Sequence, residues 1–154
     1  MSVVGQTDPL FSGTDYMIYR SVDGGEASVV GHCSPSNDGT LRWDDRLTQR
    51  LQGVNTYWFG VVDGCGRNEI LSQHGSTIVP TIDEQGGVVT VSWNAYEGWT
   101  GATQYALLMC ADAGGQWTQI TSTIGTEANV DIDDGGTLRF KVTAWEEPNS
   151  TWQS

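Results

Sequence analysis

Short runs of alternating apolar and polar residues, each closed by a glycine-rich turn, recur along the whole chain. The most informative run is 55–66, NTYWFGVVDGCG, in which Tyr57, Phe59 and Val61 share one parity and Trp58, Gly60 and Val62 the other. This spacing predicts a strand that is apolar on both faces and ends in an Asp-Gly turn, hence a central strand with a covering layer. Residues 137–144 repeat the theme, with Leu138, Phe140, Val142 and Ala144 opposite Arg139, Lys141 and Thr143, and are expected to be a second central strand. Further strands are predicted at 2–7, 15–22, 27–33, 41–45, 88–96, 104–110, 116–124 and 128–132. A helical turn is allowed only near 46–53. No window keeps apolar residues at helical spacing over three turns, so the chain reads as all-β.

The order of these elements repeats once: a tyrosine-bearing strand, a glycine turn, a strand, a short strand and then the long alternating strand. Such regular, turn-bounded strands predict two β-sandwiches in tandem. Pro80 interrupts the run 76–82, and proline offers no ladder donor, so the boundary is expected there. The expected domains are 1–79 and 80–154, and so short a junction restricts their orientation.

Twenty glycines and 17% charged residues fit a chain of short strands and turns. The net charge of -12 places nineteen acids against six arginines and the single lysine, Lys141. That balance argues against nucleic acid, which needs clustered cations, and against anionic membrane surfaces. No run approaches the ~18 apolar residues of a membrane span, so membrane insertion is not expected. Residues 1–5 lack the basic start and apolar core of a signal peptide. Any export address would lie outside this sequence.

Several strings together resemble a known family. VTVSW at 89–93, QYALL at 104–108, TYWFGVV at 56–62 and LRFKVTA at 138–144 look like fibronectin type III modules. More narrowly, VDGCG at 62–66, SQHGSTI at 72–78 and WNAYEGW at 93–99 resemble, in that order, tandem modules of large secreted or surface proteins of Bacteroidota, including gliding-motility and adhesin-type proteins. The resemblance covers roughly 15–145. It implies two fibronectin type III or immunoglobulin-like sandwiches in an extracellular or cell-surface protein. Gly5 stands where the first module's strand-B tryptophan belongs, without room for strand A before it. Leu138 replaces the strand-F tyrosine of the second module, and no clear strand G follows Trp145. Both modules are therefore expected to be incomplete, as in a segment of a longer protein or in a subunit whose sheets a neighbour completes head to tail.

Candidate chemistry is sparse. No nucleophile elbow is present, and His74 beside Ser76 is not a nucleophile with a separately placed base, so no catalytic residue and no enzymatic activity are expected. Asp131, Asp133 and Asp134 offer several hard oxygens before Gly135 and are the candidate calcium ligands, although the loop lacks the EF-hand pattern. No other cofactor is indicated. Cys33 and Cys65 each follow a predicted strand and form the candidate disulfide, while Cys110 reads as a buried small hydrophobe. Trp99 in a glycine-flanked loop, with Trp58 and Trp43 facing outward from a sheet, are the candidate ligand-binding residues, because exposed indoles stack on sugars or anchor protein contacts. The expected role is a non-enzymatic structural or adhesive segment that recognises protein or glycan. A self-assembling filament subunit and a carbohydrate-binding module are the alternatives.

Overall fold

The computed structural model describes residues 2–7, 15–46, 53–62, 68–70, 74–101, 103–111, 115–132 and 137–147. All regular structure among them is β, as the alternation requires, and every strand pairing is antiparallel. The chain divides into two compact units, Met1–Thr77 and Ile78–Ser154.

The first unit contains β1 (Ser2–Gln6), β2 (Tyr16–Val22), β3 (Ser28–Cys33), β4 (Thr40–Asp44), β5 (Asn55–Val62), β6 (Asn68–Ile70) and β7 (Gly75–Ser76). β1 and β4 form one sheet; β3, β2, β5 and β6 follow in order in the other, with β7 also on β5. Between the sheets lie Tyr16 and Ile18 from β2, Leu41 from β4, and Tyr57, Phe59 and Val61 from β5. These are the inward parities that the alternation marks. A methyl group at Gly5 would stand 2.8 Å from the Phe59 ring, so Phe59 occupies the space that a larger residue on β1 would need. β5 is central, held by β2 on one side and by β6 and β7 on the other. Its second face is covered too, since Thr56 and Gly60 are buried together with Met17 and Tyr19 across the ladder on β2.

The second unit contains β8 (Pro80–Gln85), β9 (Val88–Trp93), β10 (Thr103–Cys110), β11 (Thr118–Thr123), β12 (Glu127–Asp131) and β13 (Arg139–Glu146). Its sheets run β12-β9-β8 and β11-β10-β13. Val89, Val91, Trp93, Tyr105, Leu107 and Val130 make the core, and the Trp93 and Tyr105 rings stand 5.7 Å apart. β8 and β9 are joined through Gly86 and Gly87, both at positive φ, the combination a two-residue hairpin turn needs. Pro80 opens β8, which ends its sheet, a place where a missing donor is tolerated.

The two units repeat one pairing scheme. β4-β1 corresponds to β12-β9, and β3-β2-β5 to β11-β10-β13. They differ at the margins: β8 extends the second unit beyond β9, whereas β6 and β7 extend the first beyond β5. Among the described residues β1 and β13 have a strand on one edge only.

One expectation of the strand order needs correction. The strand at 137–144 is not central among the described residues; β13 ends its sheet and β10 takes the middle. The reason is chemical: β10 is buried on both faces, through Tyr105 and Leu107 inward and Ala106 and Cys110 outward, whereas Arg139 and Lys141 give β13 a solvated face. The contacts on either side of the junction follow the division into Met1–Thr77 and Ile78–Ser154. Thr77 exchanges hydrogen bonds with Asn55, while Ile78 packs on the second core and the Val79 amide donates to Asn94 Oδ1 at 2.8 Å.

Candidate functional site

An open concavity of about 710 Å³ in the first unit is lined by Arg20, Val30, Trp43, Asp45 and Arg46, with Arg42 and Asp44 at its wall. Three of the chain's six arginines therefore meet on one surface beside an indole. The local pattern of β4 explains the arrangement. Leu41 and Trp43 share the inward parity while Arg42 and Asp44 point out, and the strand then stops at Asp45.

Asp45 is the anchor. Its side chain is only 2% accessible, and its Oδ2 accepts the Tyr57 hydroxyl at 2.8 Å and Arg20 Nη1 at 3.3 Å. A buried carboxylate needs such partners, because desolvation disfavours the bare charge. Burial, reinforced by the Asp45 charge and moderated by Arg20, pushes the Tyr57 phenol up to about 12. The phenol thus stays a donor, and Arg20 is held at the rim of the concavity by a neutralising partner. Arg42 and Asp44 lie 3.8 Å apart at the surface. Such a wall, with a ring, guanidinium donors and carboxylate acceptors, suits a small polar ligand with a flat apolar face.

Trp43 is placed differently from the sequence expectation. It faces inward with Leu41, packs against the first core and stands 6.3 Å from the Tyr57 ring. Gly31 makes this possible, since a methyl group there would run into the indole. Only part of the Trp43 side chain remains to line the concavity. Trp58 lies on the outward face of its sheet opposite Tyr19, half-buried, with the His74 ring 6.2 Å away.

Trp99 belongs to the second unit, half-buried and stacked 4.1 Å from Tyr96, whose own amide donates to the Tyr105 hydroxyl at 2.8 Å. Burial, then the Glu146 charge, raises the Tyr96 phenol above its ordinary range. Asp131 is exposed at the end of β12; Asp133 and Asp134 lie outside the described residues. Among the described residues no three His, Cys, Asp or Glu side chains cluster as a metal site. Cys33 is half-buried, and burial, then the Asp15 charge, raises its thiol against an opposing hydrogen bond from the Arg42 backbone. Cys65 lies outside the described residues, and with it the candidate disulfide.

Among the described residues the most exposed tryptophans are Trp117 and Trp145, neither of which the sequence singled out as a ligand-binding candidate. For Trp145 the signal was available: continuing the parity of Arg139, Lys141 and Thr143 puts it outward. The grouping of Arg20 with Arg42 and Arg46 had no local signal, because it depends on how β2 and β4 come together in space.

No described helix is long and apolar enough to cross a membrane. No protein-family model matches the chain, and no curated protein matches it. Among solved structures the chain is similar to a tetra-tandem repeat in the extending region of a large adhesion protein, at 14% identity and a TM-score of 0.32, over 94% of this chain and 44% of that one. The chain thus spans less than half the length of that structure.

Proposed function

We propose that the chain is a non-enzymatic structural and adhesive segment of an exported or cell-surface protein, in which two fibronectin type III-like sandwiches provide spacing and recognise protein or glycan. The observation that carries this reading is the repeated pairing scheme, β4-β1 with β3-β2-β5 and then β12-β9 with β11-β10-β13, each unit around its own core. Repetition of a self-contained sandwich suits spacing, because each added unit extends the chain without altering the previous core. The fibronectin type III assignment is supported by the same strand order and by the strings around Trp93, Tyr105 and Tyr57.

A second reading, a filament subunit completed by strand addition, is favoured by the edges of β1 and β13, each with a partner on one side only among the described residues. An open ladder edge is a template for another strand. Light scattering of the chain across a concentration series, with and without calcium, separates the two. A constant monomer mass is expected for the spacer. Growth into long open assemblies overturns it in favour of strand completion.

A further inference from the structure

The core of the second sandwich loses its cover along one margin. Val91 on β9 and Leu107 on β10 are both fully buried in that core. Directly opposite Val91 on the ladder, and so on the same inner face, stands Ile82 of β8, which is 53% exposed. Opposite Leu107 and Tyr105 stand Val142 and Ala144 of β13, only half-buried although they share the inner parity. β8 and β13 end their sheets among the described residues and approach each other across the sandwich. The ladder edge of β13 therefore runs beside an apolar strip made of Ile82, Val142 and Ala144.

Backbone groups at such an edge pair with an added strand, and alternate side chains of that strand give specificity. To cover Ile82 and Val142 the added strand needs apolar residues at every second position. Its solvent side is selected by charge. The outward positions of β13 include Lys141 and hold no acid, and Lys141 Nζ lies 5.0 Å from the Trp117 ring centroid. That ring is neutral, so the contact holds the ammonium without cancelling its charge. Opposite charges on neighbouring strands attract and like charges repel. We propose that the β13 edge binds an extended strand of a partner protein in which apolar residues alternate with carboxylates, the apolar ones covering Ile82 and Val142. Charges more than ~8 Å away are screened at physiological salt, so the strand meets Lys141 rather than the chain's distant acids. Two strands of a second copy fit less well. β8 would bring Glu84, which shares the parity of Ile82, to the apolar strip, and a carboxylate buried without a partner is unfavourable. β13 would bring a second Lys141 to the same outer face.

The site rests on the recognition half of the proposed function, and its failure leaves the spacer to be judged by light scattering. The test is fluorescence anisotropy of the full chain with a labelled peptide of ~9 residues, enough to span β13, that alternates valine with glutamate. A valine–lysine peptide and a valine–glutamate peptide with methylated backbone amides, which cannot donate, serve as comparisons. Binding of the unmethylated valine–glutamate peptide is expected, about tenfold or more tighter than either comparison, with slowed hydrogen exchange at residues 139–146. Ile82→Glu should weaken it about tenfold or more, and Lys141→Glu should turn the preference towards the lysine peptide, both with unchanged melting temperatures. Ile82 and Lys141 are exposed, so neither change empties the core. Absence of binding at millimolar peptide overturns the proposal, as does binding that Ile82→Glu leaves intact or that slows exchange elsewhere than in β13. A chain mass that doubles without peptide, and that Ile82→Glu returns to the monomer, overturns it in favour of a second copy on this edge.

Discussion

The Tyr57 hydroxyl donates to the Asp45 carboxylate at 2.8 Å inside the first unit, joining the central strand β5 to the end of β4. Arg20 completes the pair from β2. This contact makes the concavity around Trp43 a consequence of the core, since the residue that neutralises Arg20 at its rim is itself buried by the sandwich. Removing the hydroxyl with Tyr57→Phe leaves Asp45 buried with fewer donors. A loss of about 1–3 kcal/mol is expected by chemical denaturation, larger than for an exposed tyrosine.

The same pair sets an alkaline limit. The Tyr57 phenol is raised to about 12 in the fold, above an unfolded value near 10, so the folded state holds this proton longer than the unfolded state. Its stabilising contribution is therefore complete below pH ~10 and lost as pH rises towards 12. Unfolding free energies measured below and within that window should fall less steeply for Tyr57→Phe than for the parent chain. Identical slopes would remove Tyr57 as the cause.

An acidic limit is expected from Asp38. The Ser36 hydroxyl at 2.6 Å and the Thr40 amide at 3.0 Å donate to its Oδ1 in the turn before β4. These bonds lower its carboxyl to about 2, with the Ser36 bond the larger cause. Because the folded value is depressed, the contribution is present above pH ~4 and lost as pH falls towards 2. Asp38→Asn should flatten this part of the acid titration of stability while leaving the alkaline limb unchanged.

Gly31 is required by the position of Trp43. A methyl group there meets the indole nitrogen and its neighbouring carbons, so Gly31→Ala should cost about 1–3 kcal/mol and shift tryptophan emission as the ring is displaced towards solvent. Unchanged emission with unchanged stability would mean that the indole has room to move.

In the second unit Leu107 is fully buried between the sheets. Leu107→Ala should cost about 2–5 kcal/mol, the transfer term plus the cavity left behind. By comparison, Ile124→Ala should change little, because Ile124 is 74% exposed.

Much of the fold was legible because alternation reports burial directly. Tyr57, Phe59 and Val61, and likewise Tyr105 and Leu107, fall inward as their parity requires. The hairpin turn at Gly86-Gly87 was readable for a similar reason, since positive φ selects glycine locally. The three-residue β6 was missed because it is too short to show a period. Trp43 was assigned outward although its parity with Leu41 marks it inward; the space it fills depends on Gly31, twelve positions earlier and on another strand.

The sequence by itself determined an all-β chain of two repeated units with a strongly acidic balance, because strand period, turn chemistry and charge are local quantities that add along a chain. Tertiary structure alone decided which strands are central, that Asp45 is buried against Tyr57 and Arg20, and that Trp117 lies beside Arg139 and Lys141. Those are relations between residues distant in sequence. They arise only when strand order and register bring separate elements together, and alternation within one strand carries no information about its neighbour.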